Sequence, residues 1–312
     1  VLLRSLGTHP SRLIQLNFSF YSRMIAETMQ PDRPDYPAIF SLPSSRLCMA
    51  HENNRDAWDQ YARKQHPFAR PARNDQFQDP LATLDTRGWY GGSLKNQRVL
   101  CLAAGGGKHS ALFATAGAEV TVVDISADML AIDRQIAAER GLNIRTITAA
   151  MDDLSSLPDS CFDIVEQPVS TCYVPEVLPV YREVARVLIH RGIYISQHKQ
   201  PGSLQGDSVP SAQGYELIEP YYRNHPLPTV TGTWYRESET TEYLHRWEQL
   251  VGCMCQSGFI IEDFYEPRHA DDQAEFGSFR HRATYLPPYV RIKARILKSR
   301  GPTSQTPELW TP

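Results

Sequence analysis

The chain has 312 residues, 41% of them apolar and 21% charged, with 32 basic side chains against 35 acidic ones. A formal charge of −3 disfavours nucleic acid as a partner, because no face need be strongly basic, and no apolar run approaches the roughly 18 residues of a membrane-spanning helix. Cys48, Cys101, Cys161, Cys172, Cys253 and Cys255 stand at irregular intervals without CxxC pairs, so no metal site is expected and the thiols read as reduced, in keeping with a cytoplasmic protein.

Residues 1–48 carry Pro31, Pro34, Pro37 and Pro43 and no sustained apolar period, which reads as a disordered extension. Arg4, Arg12 and Arg23 among serines precede the first acidic residue, Glu27, a composition that fits an organelle import peptide. The competing reading is non-native upstream translation, because Met49 directly precedes sequence of folded character. One domain is expected over 49–300, with a loose Pro-, Ser- and Thr-rich tail at 301–312.

From Arg98 onward, short β-type runs alternate with helical stretches: RVLCLA (98–103), VTVVD (120–124), IRTITA (144–149), FDIVEQ (162–167) and IYISQ (193–197). This is the pattern of a parallel sheet with helices on both faces. Ser126 is placed to cap a helix of about four turns that carries Met129, Ile132 and Ile136 and stops at Gly141. Val177, Val180, Tyr181, Val184, Val187 and Leu188 form a second helical stripe that belongs to the core. Past the fifth run, 198–240 is irregular and holds Tyr215, Tyr221, Tyr222, Trp234 and Tyr235, an insertion that reads as a lid over a substrate. Tyr243, Trp247, Leu250, Val251 and Met254 then recur at helical spacing, and FIIEDFYEP (259–267) and RATYLPPYVRIKARI (282–296) read as the last two strands. Pro287 and Pro288 suggest that the final strand lies at an edge or is broken.

The most informative segment is VLCLAAGGGKHS (99–110), an apolar strand that runs through Gly105, Gly106 and Gly107 into a helix. Seventeen residues beyond Gly107 the second strand ends at Asp124, and a right-handed β-α-β crossover brings that carboxylate beside the glycines. Such an acid can accept hydrogen bonds from the hydroxyls of a ribose. The dinucleotide pattern G-x-G-x-x-G fails at Ser110, and the Walker spacing fails at Lys108.

VLCLAAGGG, Asp124, DDLSSLPDSCFDIV (152–165) and ARVLIHRGIYIS (185–196) together resemble the class I S-adenosylmethionine-dependent methyltransferases, in particular the small-molecule branch related to quinone biosynthesis. The resemblance spans residues 55–295. It implies a Rossmann-like three-layer α/β sandwich with a mostly parallel seven-stranded sheet and an antiparallel last strand. It also implies S-adenosyl-L-methionine as cofactor and methyl transfer to a small-molecule acceptor. Against the family pattern, Cys101 replaces the first-strand acid, Ala103 the first loop glycine, and Ala150 an acid near the adenine.

The contacts expected for the cofactor are Ala103, Gly105, Gly106, Gly107, Asp124, Ile125, Met151, Asp152, Gln167 and Tyr61, the last on a helix (55–68) that also presents Trp58. Lys108, His109 and Ser110 open the helix after the glycines and are candidates for the cofactor carboxylate. Glu166, Ser170 and Tyr173 follow the fourth strand at the sheet edge where such folds bind ligands. Tyr173 and His198 are the catalytic candidates, His198 as a general base toward a hydroxyl acceptor. Two other functions fit the glycine loop and the acid, an NAD(P)-dependent oxidoreductase and a non-catalytic nucleoside-binding module.

Overall fold

The structure, a computed structural model, describes residues 44–231, 233 and 235–298, with side chains from residue 47 onward. The expectations for residues 1–43, for Trp234 and for the tail at 301–312 lie outside the described residues.

Helix α1 (Ser44–Arg63) leads through two short 3-10 turns into α2 (Pro80–Leu84), and then into β1 (Arg98–Leu102). The alternating core follows as α3 (His109–Thr115), β2 (Glu119–Asp124), α4 (Ala127–Arg140), β3 (Ile144–Thr148), β4 (Phe162–Gln167), α5 (Leu178–Val187) and β5 (Leu188–Lys199). The chain closes with α6 (Pro201–Gln205), a long irregular stretch, a π-helical turn (Glu248–Gly252) running into α7 (Cys253–Gln256), β6 (Phe259–Tyr265), α8 (Phe279–Tyr285) and β7 (Tyr289–Ile296).

The seven strands form one sheet in the order β3-β2-β1-β4-β5-β7-β6. The first five pair in parallel, and β7 runs antiparallel to both β5 and β6. Val99, Leu100, Cys101 and Leu102 of β1 are all fully buried, because helices cover both faces of the central strands. On one side Val180, Tyr181, Val184 and Val187 of α5 fill the core, and on the other Leu112 and Phe113 of α3 do so. Strand order reverses between β1 and β4, so a crevice opens beyond their carboxyl ends.

Local chemistry fixes α4 as the sequence predicts. Ser126 Oγ accepts a hydrogen bond from Met129 N, and Gly141 ends the helix in the left-handed region at φ 64°. The C-terminal part differs. Residues 282–285 belong to α8, whose cap Ser278 accepts from His281 N, and Pro287 and Pro288 precede β7 without interrupting it. Strand β7 lies inside the sheet and β6 takes the edge, a correction to the expected edge strand. His190, Arg191 and Gly192 form a bulge within β5, with Arg191 at φ 66°.

The insertion is tied to the body by Arg282 of α8. Its guanidinium donates to the carbonyls of Ser203, Gly206 and Asp207 and lies over the Tyr235 ring. Tyr215 meets His281 at 2.8 Å through its hydroxyl, and Tyr221 accepts from Trp247 N. No described residue is part of a helix long and apolar enough to cross a membrane.

Candidate functional site

Beyond the carboxyl ends of β1, β2 and β4 lies a cavity of about 610 Å³, within the usual range for cofactor and small-molecule sites. Its floor is the turn after β1. Ala103 adopts φ 47°, the left-handed conformation that the related pattern gives to glycine, and donates its N–H to Val123 O. At Gly105 a Cβ would come within 2.8 Å of the Met129 Cβ and 3.0 Å of Asp124 Oδ2, so only glycine lets this loop close on α4 and β2.

Asp124 stands at the end of β2 with its carboxylate against the loop. Oδ2 accepts from Gly105 N and Oδ1 from Ser126 N, both at 2.9 Å. Burial raises its pKa, opposed by these backbone bonds. A second acid, Asp133 of α4, braces the same turn. It accepts from Gly106 N at 2.8 Å, from Gly107 N at 3.1 Å and from the Ser110 hydroxyl. Desolvation outweighs those donors and pushes its pKa up to about 6. Asp133 is missed by motif reading; its signal is an acid four residues after Met129, on the apolar face of α4.

Helix α1 forms the roof. Ser126 Oγ donates to Asp59 at 2.5 Å, joining α1 to the start of α4. Asn54 donates to the carbonyls of Tyr173 and Thr241 and accepts from Thr241 N, which fixes the β4 loop and the insertion against the helix. Trp58 lines the cavity and packs edge-on against Tyr173, with ring centroids 5.8 Å apart. His51 also lines it, with Nε2 3.2 Å from Asp152 Oδ1.

The expected cofactor contacts divide. Ala103, Gly105, Gly106, Asp124, Ile125 and Met151 line the cavity, as do Lys108, His109, Ser170 and Tyr173. Gly107 instead faces Ile136 and Ile132 of α4, and Ser110 is buried on Asp133. Tyr61 stacks on His66 at 4.2 Å, with its hydroxyl donating to Ser238 O. Asp152 reaches the cavity through His51 alone among these contacts. Gln167 is fully buried, accepting from the Tyr194 hydroxyl and donating to Ser170 Oγ. Glu166 accepts from the Tyr90 hydroxyl at 2.6 Å, beside Arg291.

His198 is not placed as a base. Both ring nitrogens are engaged at 2.8 Å, Nδ1 with Thr171 Oγ1 and Nε2 with Ser196 Oγ, and the residue does not line the cavity. Burial and the neighbouring His245 draw its pKa down to about 3. Of the aromatics named for the lid, Tyr215, Tyr221, Tyr222 and Tyr235 stay off the cavity, and of the described residues in 198–240 only Glu237 reaches it.

Glu237 belongs to a group that sequence reading did not assemble. Lys199, at the end of β5, donates to both Glu237 and Glu242, and Arg236 donates to Glu242. Gln197 of β5 and Tyr289 of β7, diagonal to each other across the antiparallel pair, line the same wall. Tyr173 completes it: the residue is 5% exposed, and its hydroxyl lies beside Glu237 without a well-formed hydrogen bond.

The methyltransferase-domain family matches residues 100–196. The chain is 38% identical over 179 residues to the uncharacterized methyltransferase YbaJ of Bacillus subtilis, covering 56% of this chain and 70% of that protein. It is 24% identical over 152 residues to a ubiquinone biosynthesis O-methyltransferase of Xanthomonas campestris, covering 47% of this chain and 64% of that protein. Among solved structures, a S-adenosylmethionine-dependent methyltransferase from Mesorhizobium loti superimposes with a TM-score of 0.55 at 21% identity, over 68% of this chain and 97% of that one, a likeness of fold.

Proposed function

The chain belongs to the class I S-adenosylmethionine-dependent methyltransferases, and from that premise we propose that the cavity binds S-adenosylmethionine beside a small-molecule methyl acceptor. The observation that carries this reading is Asp124, at the end of β2, lining one cavity together with Gly105 and Gly106. The residues suit the cofactor. Each Asp124 oxygen accepts a backbone N–H yet retains acceptor capacity for a ribose hydroxyl, and Ile125 and Met151 offer an apolar bed for a base.

When bound, S-adenosylmethionine supplies a methyl group already activated on a sulfonium. The chain then has to hold the acceptor in line with that group and exclude water, and orientation of this kind can contribute several kcal/mol, on the order of 7–11 in the best cases. Trp58, the α1 roof and the β4 loop at Val169 and Ser170 enclose the volume from above and from the side. Lys108 at the floor offers a cation to the cofactor carboxylate.

Asp124→Ala removes the ribose acceptor and should weaken S-adenosylhomocysteine binding by about 1.5–3 kcal/mol, read by calorimetry. An unchanged affinity would defeat the assignment. Retention of radiolabelled S-adenosylmethionine, and not of NAD, separates this reading from an oxidoreductase. Isotopically labelled cofactor incubated with a metabolite extract, followed by mass spectrometry, identifies the acceptor.

A further inference from the structure

We infer that Glu237 and Tyr173 form the acceptor subsite, and that they take a neutral small molecule with a weakly acidic hydroxyl, of phenol or enol type, whose proton passes to Glu237. The inference rests on the methyl-transfer reading and adds the chemistry of the acceptor to it.

Three observations carry it. Tyr173 lines the cavity and is 5% exposed, and its hydroxyl lies beside Glu237 without a well-formed hydrogen bond, so a ligand hydroxyl can bond to both groups. Among the described residues Glu237 is the one carboxylate on the same wall, and its neighbour Lys199 is buried between it and Glu242. The cluster is balanced, with Lys199 and Arg236 against Glu237 and Glu242.

Balance selects the ligand. Two cations already match two carboxylates, so an ammonium would add an unpaired buried charge, whereas a neutral hydroxyl adds none. Lys199 holds Glu237 in position, and burial sets that carboxyl's affinity for protons above the ordinary carboxylate range, with Lys199 opposing. A carboxylate of this kind is too weak to ionise an alkanol outright but can take the proton of a phenol-like hydroxyl as its oxygen is alkylated. The Tyr173, Tyr289 and Trp58 rings supply apolar faces for a planar acceptor.

In the reaction the acceptor oxygen forms a bond to the methyl carbon with its own electron pair, and the sulfur keeps the pair of the S–CH3 bond that breaks. The O–H bond breaks heterolytically, its pair stays on oxygen, and the proton goes to a Glu237 carboxylate oxygen and from there to solvent.

The test uses the full chain saturated with S-adenosylhomocysteine and 4-nitrophenol as probe. Calorimetry and absorption spectra should show binding, with the probe band displaced toward that of 4-nitrophenolate. Glu237→Gln should weaken probe binding at least tenfold and abolish the displacement, while S-adenosylhomocysteine affinity changes less than twofold. Tyr173→Phe keeps the ionic pairs of Lys199 and Arg236 and removes only the hydroxyl beside Glu237, so it tests the subsite without threatening the fold, and it should weaken probe binding several-fold. Failure of the wild type to bind the probe, or equal binding and an equal band in both variants, overturns the inference. A wild type that does not bind S-adenosylhomocysteine sinks the underlying reading and this inference with it, whereas intact cofactor binding with indifferent variants sinks this inference alone.

Discussion

Asp133 is the side chain on which the shape of the glycine turn depends. It has no accessible surface, and it gathers two backbone N–H groups and a hydroxyl onto one carboxylate. Its pKa of about 6 exceeds the ordinary 3.8, so between those values the folded chain binds a proton that the unfolded chain has released. This contribution to stability is therefore complete below pH 3.8 and is lost as pH rises through 6. From pH 4 to 6.5 the wild type should lose about 2 kcal/mol of unfolding free energy relative to Asp133→Asn, measured by urea titration. A difference that stays flat with pH would mean that the carboxylate is ionised throughout. At this scale the sequence exposed Asp124, because an acid at a strand end after a glycine loop is a local pattern. It hid Asp133, Lys199 and Glu237, whose partners lie 23 to 43 residues away in the chain.

Helix α4 shows how one residue couples elements. Ser126 caps it through Met129 N, and the same hydroxyl donates to Asp59 of α1. Ser126→Ala loses the cap and the tether together, at a cost of about 1–2 kcal/mol. The melting temperature should fall by roughly 2–8 °C. Cofactor affinity should also fall, because α1 roofs the cavity; a thermal scan with and without S-adenosylhomocysteine checks both. Ser126→Thr, which keeps an oxygen at the cap, should restore most of the loss. The cap, the stop at Gly141 and the α5 stripe were readable because each rests on residues within a few positions of one another. The boundary between α8 and β7 was not, since Arg282, Ala283, Thr284 and Tyr285 alternate polar and apolar well enough for a strand and only Ser278 marks a helix start.

Across the whole molecule, two buried histidines hold the loop after β4 to its surroundings. His198 binds Thr171 and Ser196, and His245 Nε2 meets the carbonyls of Thr171 and Val174 at 3.0 Å each. Burial, joined by the charge of His245, lowers the pKa of His198 to about 3. Burial, opposed by the two carbonyls, lowers that of His245 to about 4. Both stay neutral in the folded chain at pH values where the unfolded chain charges them near 6.5. Stability is full above that value and is lost as pH falls, by about 2 kcal/mol for each histidine at pH 5. The loss exceeds what Asp133 returns over the same range. The unfolding midpoint should therefore drop from pH 7 to pH 5, and His198→Gln should flatten the drop; a midpoint that rises on acidification would contradict both assignments.

By itself the sequence determined the parallel core, the two capped or striped helices, and the pairing of a glycine turn with Asp124, because strand period, cap chemistry and crossover handedness act over short stretches of chain. The tertiary structure alone decided which of those residues face open volume. Gly107, Gln167, Tyr61 and His198 sit where the pattern put them along the chain, yet packing turns them into the body of the protein. The wall of Tyr173, Gln197, Glu237 and Tyr289 exists only because an antiparallel β7 and an irregular insertion fold back onto the end of β5, and no local rule specifies that meeting.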